Sequence, residues 1–395
     1  MKEDHQTSQL PKDGLAGLTQ NFGKDVTSGF VVFLLALPLS LGIAAASGFP
    51  PIMGVLTAII GGLVATFFTG SQLSIKGPAA GLIVIVADCV GAFGGGIEGW
   101  RLALGVMVVA GIIQILMGVF KWGKFVDIFP LSAVHGMLAA IGFIIIAKQV
   151  PVLLNVDPSL AAGKGPLALF AAIPSFFANL DSQVSIIGGV SLVIMLGWGF
   201  VKHPLLKQIP APLLVLIFAV PASLMMNLGA EAPDYTLVKV GKIIDQVGIN
   251  ASAEGYSQTG IFIKFVIMVS LVGTLESLLT VKAIDMLDPW KRKADPNKDI
   301  IAIGVSNSLA GLLGGLPMIS EVARSSANVA QGARTRWANF FHGLFLLLSV
   351  LLAYQVLELI PNAALAAMLI AVGIKLAHPK EFIHMLKVGP EQLEI

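Results

Sequence analysis

The chain has 395 residues, of which 56% are hydrophobic and only 12% charged, about half the charged share of a soluble globular domain. So few polar residues cannot coat a soluble body of this size, and the lipid bilayer is the expected cover for much of the surface. The formal charge of +2 gives no sign of nucleic-acid binding, and the single cysteine, Cys89, excludes an internal disulfide and a cysteine-based zinc site.

Residues 1–24 are polar and mixed in charge, and read as a solvent-exposed tail. A membrane-spanning helix needs about 20 apolar residues. Candidate segments follow at 25–48, 52–70, a short one at 78–92, 101–121, 126–148, 184–201 and 211–229. After a polar connection at 230–259 come 260–283, 299–315, a short one at 321–332, 337–358 and 361–377. A second polar connection covers 149–183, and Tyr235 to Gly241 alternates enough to predict a short strand. The tail 378–395 is amphipathic and reads as interfacial. The 43 glycines suit close helix packing in lipid.

Charge placement sets an orientation. With the N-terminus in the cytoplasm, Lys121, Lys124, Lys202, Lys207, the run Lys291-Arg292-Lys293, Arg334, Arg336, Lys375 and Lys380 all fall on the cytoplasmic side. The positive-inside rule favours that assignment, in the cell (inner) membrane.

The two short segments carry the most information. Each follows a full-length pair of spans and a Gly-rich stretch: GGLVATFFTGSQLSIKGPAAG at 61–81 and GGLPMISEVARSSANV at 314–329. The first segments of the two halves also share a local pattern, LPLSL at 37–41 and LESLL at 275–279. Short, Gly/Pro-interrupted spans at matching places point to a transporter's binding site; the plainer reading is that Gly and Pro only kink packed helices. A helix that begins in mid-membrane exposes unpaired N–H groups and the positive end of its dipole. Two such ends facing one cavity make an anion site.

Lys76 lies just before the first short helix and Arg324 lies in the first turn of the second. Charges at bilayer depth need a partner or a purpose. On one reading Lys76 and Arg324 pair with Glu276 and Glu321 and simply cancel. On the other, the two cations favour an anion, while Glu276, with the Thr280 hydroxyl one turn later, offers hard oxygens to Na⁺ or a titratable group to H⁺. His135 and His342 lie in spans and read as packed residues. Asp127, Asp285 and Asp288 sit near helix ends as solvated groups, and Trp100, Trp122 and Trp337 as interfacial anchors. The chain contains no HExxH, no paired aspartates in a Gly-rich setting and no Ser/His pair in a credible setting, which weighs against an intramembrane enzyme. A nucleobase permease would need acidic and amide groups around a neutral ring, whereas Lys76 and Arg324 favour an anion.

In KDVTSGFVVFLLALPLSLGIAAASGFPP (24–51), GSQLSIKGPAA (70–80), GTLESLLTVKAIDML (273–287) and GGLPMISEVARSSANVAQGARTRWANFFHG (314–343), the chain resembles the SulP, or sulfate permease, family of anion transporters. The resemblance implies an all-α polytopic membrane protein of two inverted seven-helix repeats, divided into core and gate, with two half-helices. Carried over by position, Ala79 and Ala80 stand at the first half-helix end, and Val322, Ala323, Arg324 and Ser325 at the second. Glu276 and Thr280 match the pair that bicarbonate-transporting members use for Na⁺, completed by backbone near Ser320 and Glu321. The substrate would be sulfate, bicarbonate, chloride or a dicarboxylate, and the protein a dimer. Three departures stand out: Leu39 where many members have Gln, Lys76 and Glu321 where small or neutral residues are usual, and no cytoplasmic STAS domain. The first repeat (25–229) has seven segments; the second (260–377) supplies five, so a second repeat shortened after its fifth helix is expected.

Overall fold

The computed structural model describes residues 10–124, 131–201, 203 and 209–377. Asp127, Lys202, Lys207, Lys380, the tail 378–395 and the side chain of His135 lie outside the described residues.

Among the described residues, twelve longer helices follow the apolar segments expected from sequence. They are α1 (Gly14–Ala46), α2 (Pro51–Leu63), α3 (Ile83–Ala92), α4 (Gly96–Val119), α5 (Leu131–Leu153), α6 (Ser182–Gly197), α7 (Ala211–Met225), α8 (Thr259–Leu287), α9 (Pro296–Leu313), α10 (Val322–Ala330), α11 (Trp337–Leu352) and α12 (Asn362–Leu376). Among the described residues, five spans are long and apolar enough to cross a membrane: Gly14–Ala46, Pro51–Phe68, Gly96–Val119, Ser182–Phe200 and Glu254–Leu287. Two three-residue strands, β1 (Lys76–Pro78) and β2 (Met318–Ser320), precede α3 and α10. The strand expected at 235–241 reduces to one bridge between Leu237 and Pro361, because α12 begins at Asn362 and takes the partner segment out of extended backbone.

Helix α1 begins well inside the segment read as a tail. Asp13 caps it, accepting from the Gly14 N–H at 2.7 Å. Its polar first half has partners in the loop before α11: Asp25 accepts from the N–H groups of Arg334 and Thr335 and from the Thr335 hydroxyl. Trp337 is buried and donates to the Gly14 carbonyl, and Trp100 is buried and donates to that of Gly314; neither is an exposed anchor. Asp288 is likewise buried, and pairs with Arg292 at 2.7 Å rather than standing in solvent.

The helices pack in two groups. In the first, α4 lies along α9, α1 and α2 lie against α11, and α8 packs on α3, α4 and α10. In the second, α12 lies along α5 and α6, with α7 beside them. Helix α1 touches both groups, through α12 and α7.

Backbones meet at two glycine crossings in the first group. A Cβ at Gly62 in α2 would stand 2.4 Å from the Gly343 Cα in α11. A Cβ at Gly111 in α4 would stand 2.7 Å from the Gly304 carbonyl oxygen in α9, and the reverse distance is also 2.7 Å. Helices this close gain dispersion contacts that lipid cannot supply. Gly343→Leu is therefore expected to cost about 1–3 kcal/mol or more by overpacking and to lower the melting temperature in detergent. Gly189→Leu, at a position with no atom within 4 Å of an added Cβ, should leave it unchanged. Equal melting temperatures for the two variants would contradict the crossing.

Candidate functional site

The chain crosses itself where β1 pairs antiparallel with β2, in the register Lys76–Ser320, Gly77–Ile319, Pro78–Met318. Non-helical backbone at membrane depth must find its partners inside the protein. The crossing supplies them in matched pairs. Ala79 N–H donates to the Pro317 carbonyl at 3.1 Å, and Glu321 N–H to that of Ile75 at 2.9 Å. Lys76 N–H donates to the Asn339 side-chain oxygen at 3.1 Å, and Met318 N–H to that of Asn307 at 2.6 Å. Asn339 is held by the Gly61 carbonyl and Thr66, and Asn307 by Gln114. Hydroxyls finish the frame: Ser277 accepts from Ser320 N–H, and Ser325 from Ile75 N–H.

Lys76 does not reach for a glutamate. Its ammonium is fully buried and pairs with Asp299 of α9 at 2.8 Å, and it also donates to the Ser74 hydroxyl. Asp299 is equally buried and accepts from Thr69 at 2.6 Å and from Ser320 at 3.1 Å. The pair ties β1, β2 and α9 together. The Ser320 and Ser325 side chains, placed near the site from sequence, are thus committed to the frame.

Arg324 is different. Its guanidinium is fully buried against the crossing, and a Cβ on Gly77 would stand 2.1 Å from Nη1, so only glycine leaves it room. Nη2 donates to Ser40 of α1 at 3.2 Å, while Nε and Nη1 have no protein partner. His342, also fully buried, interacts electrostatically with Arg324.

At the start of α10, the first intrahelical bond runs from Ser325 N–H to the Glu321 carbonyl. The N–H groups of Val322, Ala323 and Arg324 therefore lie ahead of the ladder, and the Val322 and Ala323 side chains are exposed. At the start of α3, the Glu276 carboxylate lies against Gly81, where a Cβ would stand 2.2 Å from Glu276 Oε1. Glu276 Oε2 and Glu321 Oε1 are buried without a hydrogen-bond partner. A cavity of about 790 Å³ reaches Glu276, Thr280 and Val322 and continues past Leu138 and Leu376 to Lys293.

The structure thus gathers Ala79, Ala80, Val322, Ala323, Arg324, Glu276 and Glu321 about one crossing and sets Lys76 apart in its own pair. Sequence reasoning missed Asp299, Asn307, Asn339, Gly77 and Ser40. Asp299 carried a usable signal: an acid at the edge of an apolar segment, opposite in charge to a lysine with no assigned partner.

Among solved structures, the transmembrane domain of a cyanobacterium bicarbonate transporter, BicA, superposes with a TM-score of 0.79 at 22% identity, covering 91% of this chain and 89% of that one. The structure of SLC26A9 superposes at 0.76 with 16% identity, over 94% of this chain and 60% of that one. The fold is that of a polytopic helical membrane domain shared with these proteins. The sequence matches the sulfate permease family over residues 22–394, and the chain belongs to that family. Relatives include the putative sulfate transporter YvdB of Bacillus subtilis, 26% identical over 377 residues, which cover 93% of this chain and 67% of the relative. The bicarbonate transporter BicA of Picosynechococcus sp. is 25% identical over 363 residues, 90% of this chain and 62% of the relative. The chain spans about two thirds of the length of these two relatives.

Removing one member of a buried ion pair strands the other, at about 3–5 kcal/mol. Lys76→Met and Asp299→Asn are each expected to lower the melting temperature sharply, and the double variant to recover much of the loss. Additive losses in the double variant would show that the two charges do not act as a pair.

Proposed function

We propose that this chain carries a small inorganic anion, bicarbonate or sulfate, by secondary active transport around the β1–β2 crossing. The observation that carries the reading is the start of α10: three N–H groups ahead of the helix ladder, beside a buried guanidinium with two unpartnered nitrogens. Glu321 offsets the charge of Arg324, yet two guanidinium nitrogens keep no hydrogen bond, and an anion at the helix end supplies one while meeting the positive end of the dipole. In this reading Val322, Ala323 and Arg324 bind the anion together with the Ala79–Ala80 end of α3. Lys76 drops out, because Asp299 already neutralises it. The sulfate and bicarbonate transporters among the relatives support an anion, and a neutral nucleobase ring has no use for Arg324.

The driving cation, Na⁺ or H⁺, is assigned to Glu276 and Thr280. Both border the same cavity, and Glu276 Oε2 is buried without a partner. The two halves are taken as inverted copies of one another. Support comes from the reciprocal bonds Ala79–Pro317 and Glu321–Ile75, and from the matching glycine crossings of α2 with α11 and α9 with α4. The group holding α5 and α12 would then act as the gate. The 790 Å³ cavity runs toward Lys293, in the basic run assigned to the cytoplasm, so this conformation is taken as inward-facing. A second cavity of about 560 Å³, lined by Ala46, Lys148, Lys239 and Asn362, lies at the C-terminal end of α1, and its lining includes none of Glu276, Thr280 and Val322.

Two variants test the division of roles in one assay, uptake of labelled bicarbonate and sulfate into proteoliposomes. Arg324→Ala should weaken anion affinity about tenfold or more, the scale of a lost charge-assisted contact, with the melting temperature retained. Glu276→Gln should leave uptake insensitive to the cation gradient that drives the wild type. Wild-type affinity in the first, or full gradient dependence in the second, counts against the corresponding role.

A further inference from the structure

The cavity of about 560 Å³ at the C-terminal end of α1 falls in the size range of sites that hold small organic ligands. Its walls come from both helix groups: Ala45 and Ala46 of α1 on one side, Gln149 and Val152 of α5 and Leu365 of α12 on the other. The lining is mainly apolar, and two of its three amides are spent on the fold. Asn155 donates to Asp181 and Thr236, and Asn362 to the Tyr235 and Leu237 carbonyls. Gln149 is different. It is only 7% exposed, it lines the cavity, and its side chain forms no hydrogen bond with any described residue. Buried amides are normally hydrogen-bonded, so this one is available to an occupant. The charged lining has an excess of cations, Lys148, Lys164 and Lys239 against Asp234. Lys239 meets Asp234 at 3.1 Å in an exposed pair, and Lys148 approaches Asp88 only to 3.7 Å; exposed pairs hold their partners weakly. The nearby acids Asp157 and Asp181 are engaged by the N–H groups of Ser159, Gln183 and Val184.

We propose that this cavity binds an organic carboxylate with an apolar body: the head accepts from the Gln149 amide and meets the lysine ammoniums, and the body lies against Ala45, Ala46 and Leu365. The occupant touches α1 as well as α5 and α12, so it bridges the two helix groups. The site is separate from the one proposed for the inorganic anion, because neither Arg324 nor Glu276 lines it, and its binding test does not depend on the transport reading. A soluble organic acid and a fatty acid from the bilayer offer the same chemistry, a carboxylate on an apolar body.

The test is equilibrium dialysis of labelled 1-naphthoate and labelled dodecanoate against the purified chain in lipid nanodiscs, with empty nanodiscs alongside. Wild type should bind at least one of the two saturably, above the level of empty discs. Binding of 1-naphthoate identifies a soluble organic acid as the source, and binding of dodecanoate alone a fatty acid. The bound acid should raise the melting temperature, as a ligand of the folded state does. Its neutral amide, of the same shape, should bind about tenfold or more weakly, the scale of a lost charge-assisted contact. Gln149→Met keeps the length and removes the amide, and should weaken binding about fivefold or more. Ala45 is exposed, so Ala45→Phe fills the cavity without entering the packed core, and should abolish binding. Thermal melts without ligand identify a variant that does not fold, and the folded one then decides; the comparison of acid with amide needs no variant. No saturable binding of either acid, equal binding of acid and amide, or wild-type affinity in a folded Gln149→Met or Ala45→Phe overturns the proposal.

Discussion

The structure depends on one constraint: backbone that leaves a helix inside a membrane cannot borrow hydrogen bonds from water. Two segments of this chain do so, at 76–78 and 318–320, and each satisfies the other. Three residues a side cannot make a stable sheet alone. The crossing holds because Asn339 and Asn307 each take one strand N–H, because Ser277 and Ser325 take two more, and because Lys76 and Asp299 clamp the layer. Given that frame, α3 and α10 can start in the interior with their N-termini pointing at one region. The proposed anion site rests on the need to begin two helices there.

The buried charges sort by how well they are partnered. Lys76 and Asp299 share an ion pair, and Thr69, Ser74 and Ser320 surround it. Such a pair holds geometry and has little left to offer a substrate. Arg324 has one protein hydrogen bond, to Ser40, and two nitrogens without any. Glu276 and Glu321 each keep one oxygen unpartnered. Desolvating a charge costs several kcal/mol even after relaxation, so groups left in this condition are the ones that a mobile ion can stabilise. Partner counting thus divides these five charged residues into one structural ion pair and three groups with atoms left for an ion to meet.

Much of this was legible in the sequence. The apolar segments gave all twelve longer helices, because lipid enforces length and composition so strictly. The Gly-rich and Pro-containing stretches at 61–81 and 314–329 marked both half-helices, since only a broken span needs them. The strands themselves escaped, because three residues carry no periodicity, and the alternation at 235–241 was a better imitation of a strand than either real one. Partners across the fold also escaped. Lys76 was assigned to the anion or to a glutamate because Asp299 is more than 200 positions away and looks, locally, like a helix-start acid. Gly77 and Gly81 stood inside the Gly-rich stretch without a role of their own; their meaning appears only when Arg324 and Glu276 are seen lying against them.

The central claim is that an anion sits at the start of α10 against Arg324. Crystals grown in or soaked with selenate, an oxyanion whose selenium scatters anomalously, test it most directly. The expected result is an anomalous peak within hydrogen-bonding reach of the Val322 and Ala323 N–H groups and the Arg324 guanidinium. A map with no peak there, at a selenate concentration that saturates binding in solution, or with its peak confined to other basic residues, would contradict it.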